Sequence, residues 1–134
     1  MNIVRYSSSE WSEVAETMHL SVFNEFRPSD LNRIDFALVV WNDKIPMGYI
    51  TCAEYDSKSI YIGYGGSLQK SFKNLFAYHM LLSYLKERYL RVNTLIENNN
   101  ITMLKMALSS GFLVTGIRYF NGSIMLENSI EWGK

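Results

Sequence analysis

Asn100, Met103, Ala107, Gly111 and Phe112 stand at spacings of three, four, four and one. They belong to a stretch that reads as a strand (Val92 to Glu97), a turn Asn98-Asn99-Asn100, a short helix and a second strand starting just after Gly111-Phe112. A strand that hands over to a helix through a polar turn can line a small-molecule cleft. Any of the three asparagines suits the N-cap position, where a side-chain oxygen accepts a free backbone N–H. A second run, Gly63-Tyr64-Gly65-Gly66, invites comparison with a dinucleotide fingerprint. The spacing fails, because position 68 is Leu and no crossover unit with a following acidic residue is evident. Glycines there suit a splayed sheet and close backbone approach of a ligand. His19 and His79 lie far apart and Cys52 is the single cysteine, so no metal-ligand spacing is present. No Gly-x-Ser-x-Gly nucleophile motif occurs either.

The elements that must position these residues follow from periodicity and turn chemistry. Asn2 to Tyr6 alternates as an edge-type strand. Ser7 followed by Glu10 is a capping box, and Trp11, Val14, Met18 and Val22 then share one helix face. Arg27-Pro28-Ser29-Asp30 breaks that segment and starts a short second helical turn. Phe36 to Trp41 is a continuous apolar run, as expected of a strand covered on both faces. Turns at Asn42-Asp43-Lys44 and Asp56-Ser57-Lys58 separate it from strands at Met47 to Tyr55 and Ser59 to Gly66, giving an antiparallel meander. Phe72 to Tyr89 is the longest helix, apolar around most of its circumference, and His79 within it is expected to face the core or sheet. Thr102 to Ser110 is a helix closed by Gly111. Leu113 to Phe120 and Ser123 to Glu127 flank Asn121-Gly122, a strong hairpin signal, and the tail after Asn128 is expected to be peripheral. The fold class is therefore α/β: a mixed sheet with helices on its faces, in one domain over residues 1–134.

Composition narrows the function classes. The 134 residues are 48% hydrophobic, enough for one core and unlike a disordered chain. Lys plus Arg equals Asp plus Glu at 13 each, and neutrality argues against a dedicated nucleic-acid binder. One cysteine excludes an internal disulfide. Met1 to Glu10 lacks the apolar core of a signal peptide, and Phe36 to Trp41 is far too short to span a membrane. The expected setting is soluble and cytoplasmic.

The order of elements, with three motifs, resembles the GCN5-related N-acetyltransferase (GNAT) superfamily over nearly the whole chain. The first motif is Asn42-Asp43-Lys44-Ile45-Pro46-Met47-Gly48-Tyr49, a polar turn followed by an apolar residue, Gly and an aromatic. The second is the strand from Ser59 to Gly66 running through a loop into the long helix. The third is Asn100 to Phe112, since members often carry Asn, a small or apolar residue three on, and Gly-Phe beginning eleven on.

What the resemblance implies is acetyl-CoA as acyl donor and an amine acceptor, either a small molecule or a protein. A loop leading into a helix aims free N–H groups and a positive dipole end at the pyrophosphate of coenzyme A. Ser71-Phe72-Lys73-Asn74-Leu75-Phe76 superposes on the family's loop, with Asn74 and Phe76 where glycines are usual and Ser71 for the usual Gln or Arg. Ser71, Phe72, Lys73, Asn74 and Leu75 are thus expected cofactor contacts, and Lys70 or Lys73 could add positive charge. In the family the pantetheine arm inserts where the fourth strand leaves the fifth, so Gly65, Gly66 and Ser67 would offer backbone contacts there. Asn100 would bond the arm or cap its helix.

Acetyl transfer needs a base for the amine and often an acid for the leaving thiolate. The family's tyrosine seven residues after the Asn falls on Ala107, so that acid is absent. Tyr64, Tyr119 and Tyr78 are the alternatives; Tyr64 is carried forward as acid, with Glu54 on the preceding strand as base. Ala107, Asn74 and Phe76 also motivate a rival, a GNAT-fold protein that has lost catalysis and serves in binding or assembly. A third expectation is a homodimer extending its sheet through the terminal hairpin, whose region (residues 112 to 132) is rich in aromatics.

Overall fold

The computed structural model describes residues 1–20, 33–68, 73–120 and 122–132. Strand β1 (Asn2–Ser7) leads into helix α1 (Ser8–Leu20). Strands β2 (Phe36–Asn42), β3 (Ile45–Glu54) and β4 (Ser59–Ser67) follow, then helix α2 (Lys73–Lys86). Strand β5 (Arg91–Glu97), helix α3 (Ile101–Ser109) and strands β6 (Leu113–Phe120) and β7 (Ser123–Glu131) complete the order. Val22 and Arg27 to Asp30, expected to extend and follow α1, lie outside the described residues.

Among the described residues seven strands form one sheet, ordered β1-β2-β3-β4-β5-β7-β6. The expected meander is present: β2–β3 and β3–β4 pair antiparallel. β1 is an edge strand on β2. Asp43, at φ 55°, turns β2 into β3 with Asn42 opposite Ile45. β4 and β5 are the parallel pair, and the β6–β7 hairpin folds back so that β7 lies between β5 and β6.

Two apolar layers cover the two faces of the sheet. Phe36, Leu38 and Val40 point to the α2–α3 side, where they join Ala77, Leu81, Leu85, Ala107 and Phe112. Ala37 and Val39 point to the α1 side, with Trp11, Ala15 and Met18. The uninterrupted apolar run of β2 is explained by this double coverage.

The capping box forms as expected. The Ser7 amide donates to Glu10 Oε1 at 2.8 Å, and the Glu10 amide donates to Ser7 Oγ at 3.2 Å. These bonds hold the Glu10 carboxyl below its ordinary pKa. Ser7→Ala should therefore cost about 1 kcal/mol of stability. In an NMR titration the Glu10 pKa should also rise toward its ordinary value. An unmoved pKa would mean that Ser7 does not hold the carboxylate. A lowered folded pKa also fixes the sign of the pH effect: this increment is present above the unfolded pKa and fades as acid protonates Glu10.

Two expectations are corrected. The chain after Asn128 is not peripheral: β7 continues to Glu131, Asn128 and Ile130 are 1% and 7% exposed, and Trp132 packs on the core. The reason is that β7 is paired on both sides, so its whole length is interior to the sheet. α2 is one-sided rather than buried all round. Ala77, Leu81, Leu82 and Leu85 face the sheet while Phe76, at 59% exposure, and His79 face outward, so His79 is not a core histidine. Of the aromatics between 112 and 132, Phe112 and Trp132 pack in the core layer, while Tyr119 faces solvent.

Candidate functional site

The parallel strands β4 and β5 part company half-way along. They pair from Ser59 opposite Arg91 to Ile62 opposite Thr94 and no further. Beyond that row β4 stays with β3, as Gly65 pairs Ile50, Gly66 pairs Tyr49 and Ser67 pairs Gly48. β5 stays with β7, as Leu95 pairs Glu127, Ile96 pairs Leu126 and Glu97 pairs Met125. The result is a wedge-shaped gap between two strands running in the same direction.

A bulge in β4 sits at the apex of this gap. The β3–β4 register shifts between Ile50 and Cys52, so Gly63 and Tyr64 together oppose Thr51. Thr51, 2% exposed, mends the ladder with its side chain: the Tyr64 amide donates to Thr51 Oγ1 at 2.8 Å, and that hydroxyl donates to the Tyr64 carbonyl at 3.3 Å. On the other side, Thr94 Oγ1 donates to the Ile62 carbonyl at 3.0 Å and pins the last paired row. Neither threonine stood out in the sequence. The signal for Thr51 was a lone hydroxyl inside the apolar run of β3.

Strand geometry then decides which backbone groups face the gap. Tyr64 turns its amide to Thr51, and the Leu68 amide donates to the Met47 carbonyl at 3.0 Å, so both face β3. Backbone groups alternate along a strand, so those of Gly65 and Ser67 face away from β3, into the gap. Gly65 has a second constraint. A Cβ there would stand 2.8 Å from the Tyr49 carbonyl oxygen and 2.9 Å from Ile50 Cγ2. The glycine is thus demanded by the close approach of β3.

Because β4 and β5 are parallel, the helices that follow them start from the same end of the sheet. α2 begins at Lys73 and α3 at Ile101, so two sets of free helix N–H groups belong to the open end of the gap. Asn100 caps α3, its side-chain Oδ1 accepting from the Met103 amide at 3.2 Å. Gly111, at φ 102°, closes that helix as expected of a left-handed C-cap.

The remaining expected residues separate. Ser71 and Phe72 lie outside the described residues, and Lys73, Asn74 and Leu75 are described only as the first turn of α2. Tyr64 is partly buried beside the apex, with its side chain packed on the α1-side layer. Glu54 is not brought to the gap. It pairs Ile60 at the opposite end of β4, six positions from Gly66 or roughly 20 Å along the strand, and accepts from the Tyr89 hydroxyl at 2.7 Å. Burial, then this bond, pushes the Tyr89 pKa upward. Tyr119, 79% exposed, lies on edge strand β6. Tyr78, on α2, packs on the α2–α3 side with a buried hydroxyl, and burial raises its pKa. Ala107 is 1% exposed and packed in that same layer.

No protein-family model and no curated protein matches the chain. Solved structures do. The ribosomal-protein-S18-alanine N-acetyltransferase from Escherichia coli superposes with a TM-score of 0.79 at 9% identity, over 99% of this chain and 94% of that one. Arabidopsis thaliana Naa50, in complex with the bisubstrate analogue CoA-Ac-MVNAL, gives 0.74 at 12% identity over 98% and 99%. A GNAT family acetyltransferase from Elizabethkingia anophelis with acetyl-CoA bound gives 0.72 at 15% identity over 97% and 98%. With the split parallel pair at its centre and helices on both faces, the chain has the fold of the GNAT acetyltransferases.

Proposed function

We propose that the chain is an acetyl-CoA-dependent N-acetyltransferase acting on an amine. The observation that carries this reading is the gap beyond Ile62 and Thr94, edged by the backbone groups of Gly65 and Ser67, with two helix N-termini at its open end. A strand edge with free amides suits the amide-bearing arm of the cofactor, and helix N-termini suit its pyrophosphate. Solved neighbours with acetyl-CoA or a coenzyme A analogue bound support the same donor.

The cofactor would supply an acetyl thioester, and the chain's residues would do the rest. Backbone groups of Gly65 and Ser67 would hold the arm, the first turn of α2 with residues 71–75 the pyrophosphate, and Asn100 the far wall, while the backbone of Gly66 faces β3. Tyr64, fixed by Thr51 beside the apex, would act on the α1 side of the gap. Glu54, engaged by Tyr89, is left out of this arrangement. Positioning of donor and amine can contribute roughly 7–11 kcal/mol to rate without a strong base. Neighbours named for protein and peptide substrates make a protein amine one acceptor to try beside small amines.

Calorimetry tests the donor: acetyl-CoA should bind saturably, and absence of heat at millimolar cofactor would sink the reading. A rival is favoured by Ala107, buried where the family's tyrosine stands, and by Phe76 in place of a glycine. In that case the fold binds without turning over. Thiol release with any of a panel of amines rejects this rival.

A further inference from the structure

Thr51 is 2% exposed and opposes two residues of β4, Gly63 and Tyr64, where a regular ladder would give it one. Its hydroxyl is used twice. Oγ1 accepts the Tyr64 amide at 2.8 Å and donates to the Tyr64 carbonyl at 3.3 Å. Both backbone groups of Tyr64 are thereby drawn toward β3 by one side-chain oxygen. Gly63 leaves room for it: a Cβ on Gly63 would stand 3.1 Å from Thr51 Oγ1.

The bulge governs everything later in β4. Backbone groups alternate along a strand, so one inserted residue reverses the side that each following residue faces. With the bulge at Gly63 and Tyr64, the amides of Tyr64 and Leu68 reach β3, and the groups of Gly65 and Ser67 face the gap. Without the extra residue, Tyr64 and Gly66 would face the gap and Gly65 and Ser67 would face β3. The segment itself specifies this phase poorly, since glycine-rich strands are prone to slip and three of the four residues from Gly63 to Gly66 are glycine. The anchor has to come from the neighbouring strand, and Thr51 supplies it.

We propose that Thr51 is a positioning residue for the cofactor gap. Its hydroxyl fixes the phase of β4, so that the backbone groups of Gly65 and Ser67, and not those of Tyr64 and Gly66, are presented to the ligand. Thr51 touches no ligand; it acts through Tyr64. The role needs a hydroxyl, which both donates and accepts, whereas valine has the same shape and neither function. This inference rests on the acetyl-CoA reading above.

Amide exchange followed by NMR reads the phase in the free protein. The Tyr64 and Leu68 amides should exchange slowly and those of Gly65 and Ser67 fast. The reverse pattern overturns the inference whether or not acetyl-CoA binds. Thr51→Val and Thr51→Ser then separate positioning from packing, because valine loses the hydroxyl and serine loses only a buried methyl. In Thr51→Val the Tyr64 amide should lose its protection, and acetyl-CoA should bind about five- to tenfold more weakly in calorimetry, the equivalent of one hydrogen bond. Thr51→Ser should keep that protection and bind within about twofold of wild type, even though its melting temperature also falls. Equal weakening in the two variants, following melting temperature rather than the hydroxyl, overturns the inference and leaves Thr51 a packing residue. If Thr51→Val fails to fold, Thr51→Ala removes the same hydroxyl and is read in the same way. Wild-type protein that shows the expected exchange pattern and binds no acetyl-CoA overturns the cofactor reading, and with it the assignment of Thr51 to a cofactor gap.

Discussion

Trp11→Ala should lower folding stability by about 3–5 kcal/mol, the range for truncating a large buried aromatic. Trp11 is 2% exposed and stacks on Tyr49 with centroids 5.3 Å apart at 30°. Tyr6 meets the Trp11 ring edge-on, with centroids 6.1 Å apart. It therefore ties α1 to β3 and to β1 at once, and alanine would leave a cavity that two rings cannot close without moving. Against a typical total of about 5–15 kcal/mol, the loss is a fifth or more. Urea unfolding measures it, with the midpoint falling and the slope unchanged if the transition stays two-state. Function should suffer as well, because Tyr49 pairs Gly66 on the edge of the gap and Tyr64 packs in the same layer. A midpoint within error of wild type would show that α1 is not fastened to the sheet as described. Trp11→Phe, which keeps a ring against Tyr49, should recover much of the loss.

Much of the architecture was legible in the chain because local signals agreed with one another. Ser7 and Glu10 marked the start of α1, Gly111 marked the end of α3, and the apolar run of β2 announced a strand covered on both sides. What failed was everything that depends on who lies next to whom. The chain after Asn128 looked like a tail because nothing local reveals that β7 will be inserted between β5 and β6. His79 looked internal because its neighbours are apolar, yet only one side of α2 meets the sheet, and the helix periodicity puts His79 and Phe76 on the other.

The candidate site was legible in part and for a similar reason. Gly65, Gly66 and Ser67 were named through the family resemblance, which places the cofactor arm where the fourth strand leaves the fifth. The gap itself is a difference between two registers, β4 with β5 and β5 with β7, and no single segment encodes it. Glu54 was named from its place on the strand before the gap strand. That strand runs antiparallel, however, so the last residue of β3 is carried to the far end of β4. Thr51 was passed over because an isolated threonine in a strand is ordinary by propensity. Its role depends on a bulge in the neighbouring strand.

Gly65→Ala should be destabilising by about 1–3 kcal/mol, the usual cost of forcing extra volume into a packed position. The sign is what makes the experiment informative. Where the backbone conformation suits alanine and space is free, Gly→Ala tends to stabilise by about 0.4–1 kcal/mol, through the unfolded chain. At Gly65 the added carbon meets the Tyr49 carbonyl oxygen at 2.8 Å and Ile50 Cγ2 at 2.9 Å. The first is backbone and cannot swing aside, so β4 must move away from β3. The direction open to it is the gap, since β5 no longer pairs with this part of β4. One methyl group should thus weaken the fold and narrow the cleft together, and acetyl-CoA affinity should fall with stability. Gly63→Ala is the comparison. Its new carbon meets the Thr51 hydroxyl at 3.1 Å, a longer approach than either contact at Gly65 and to a side chain rather than to backbone. Its cost should be the smaller of the two. Urea midpoints rank the pair and calorimetry with acetyl-CoA reads the cleft. Equal or reversed ranking would mean that the approach of β3, rather than β5, does not set the shape of the gap.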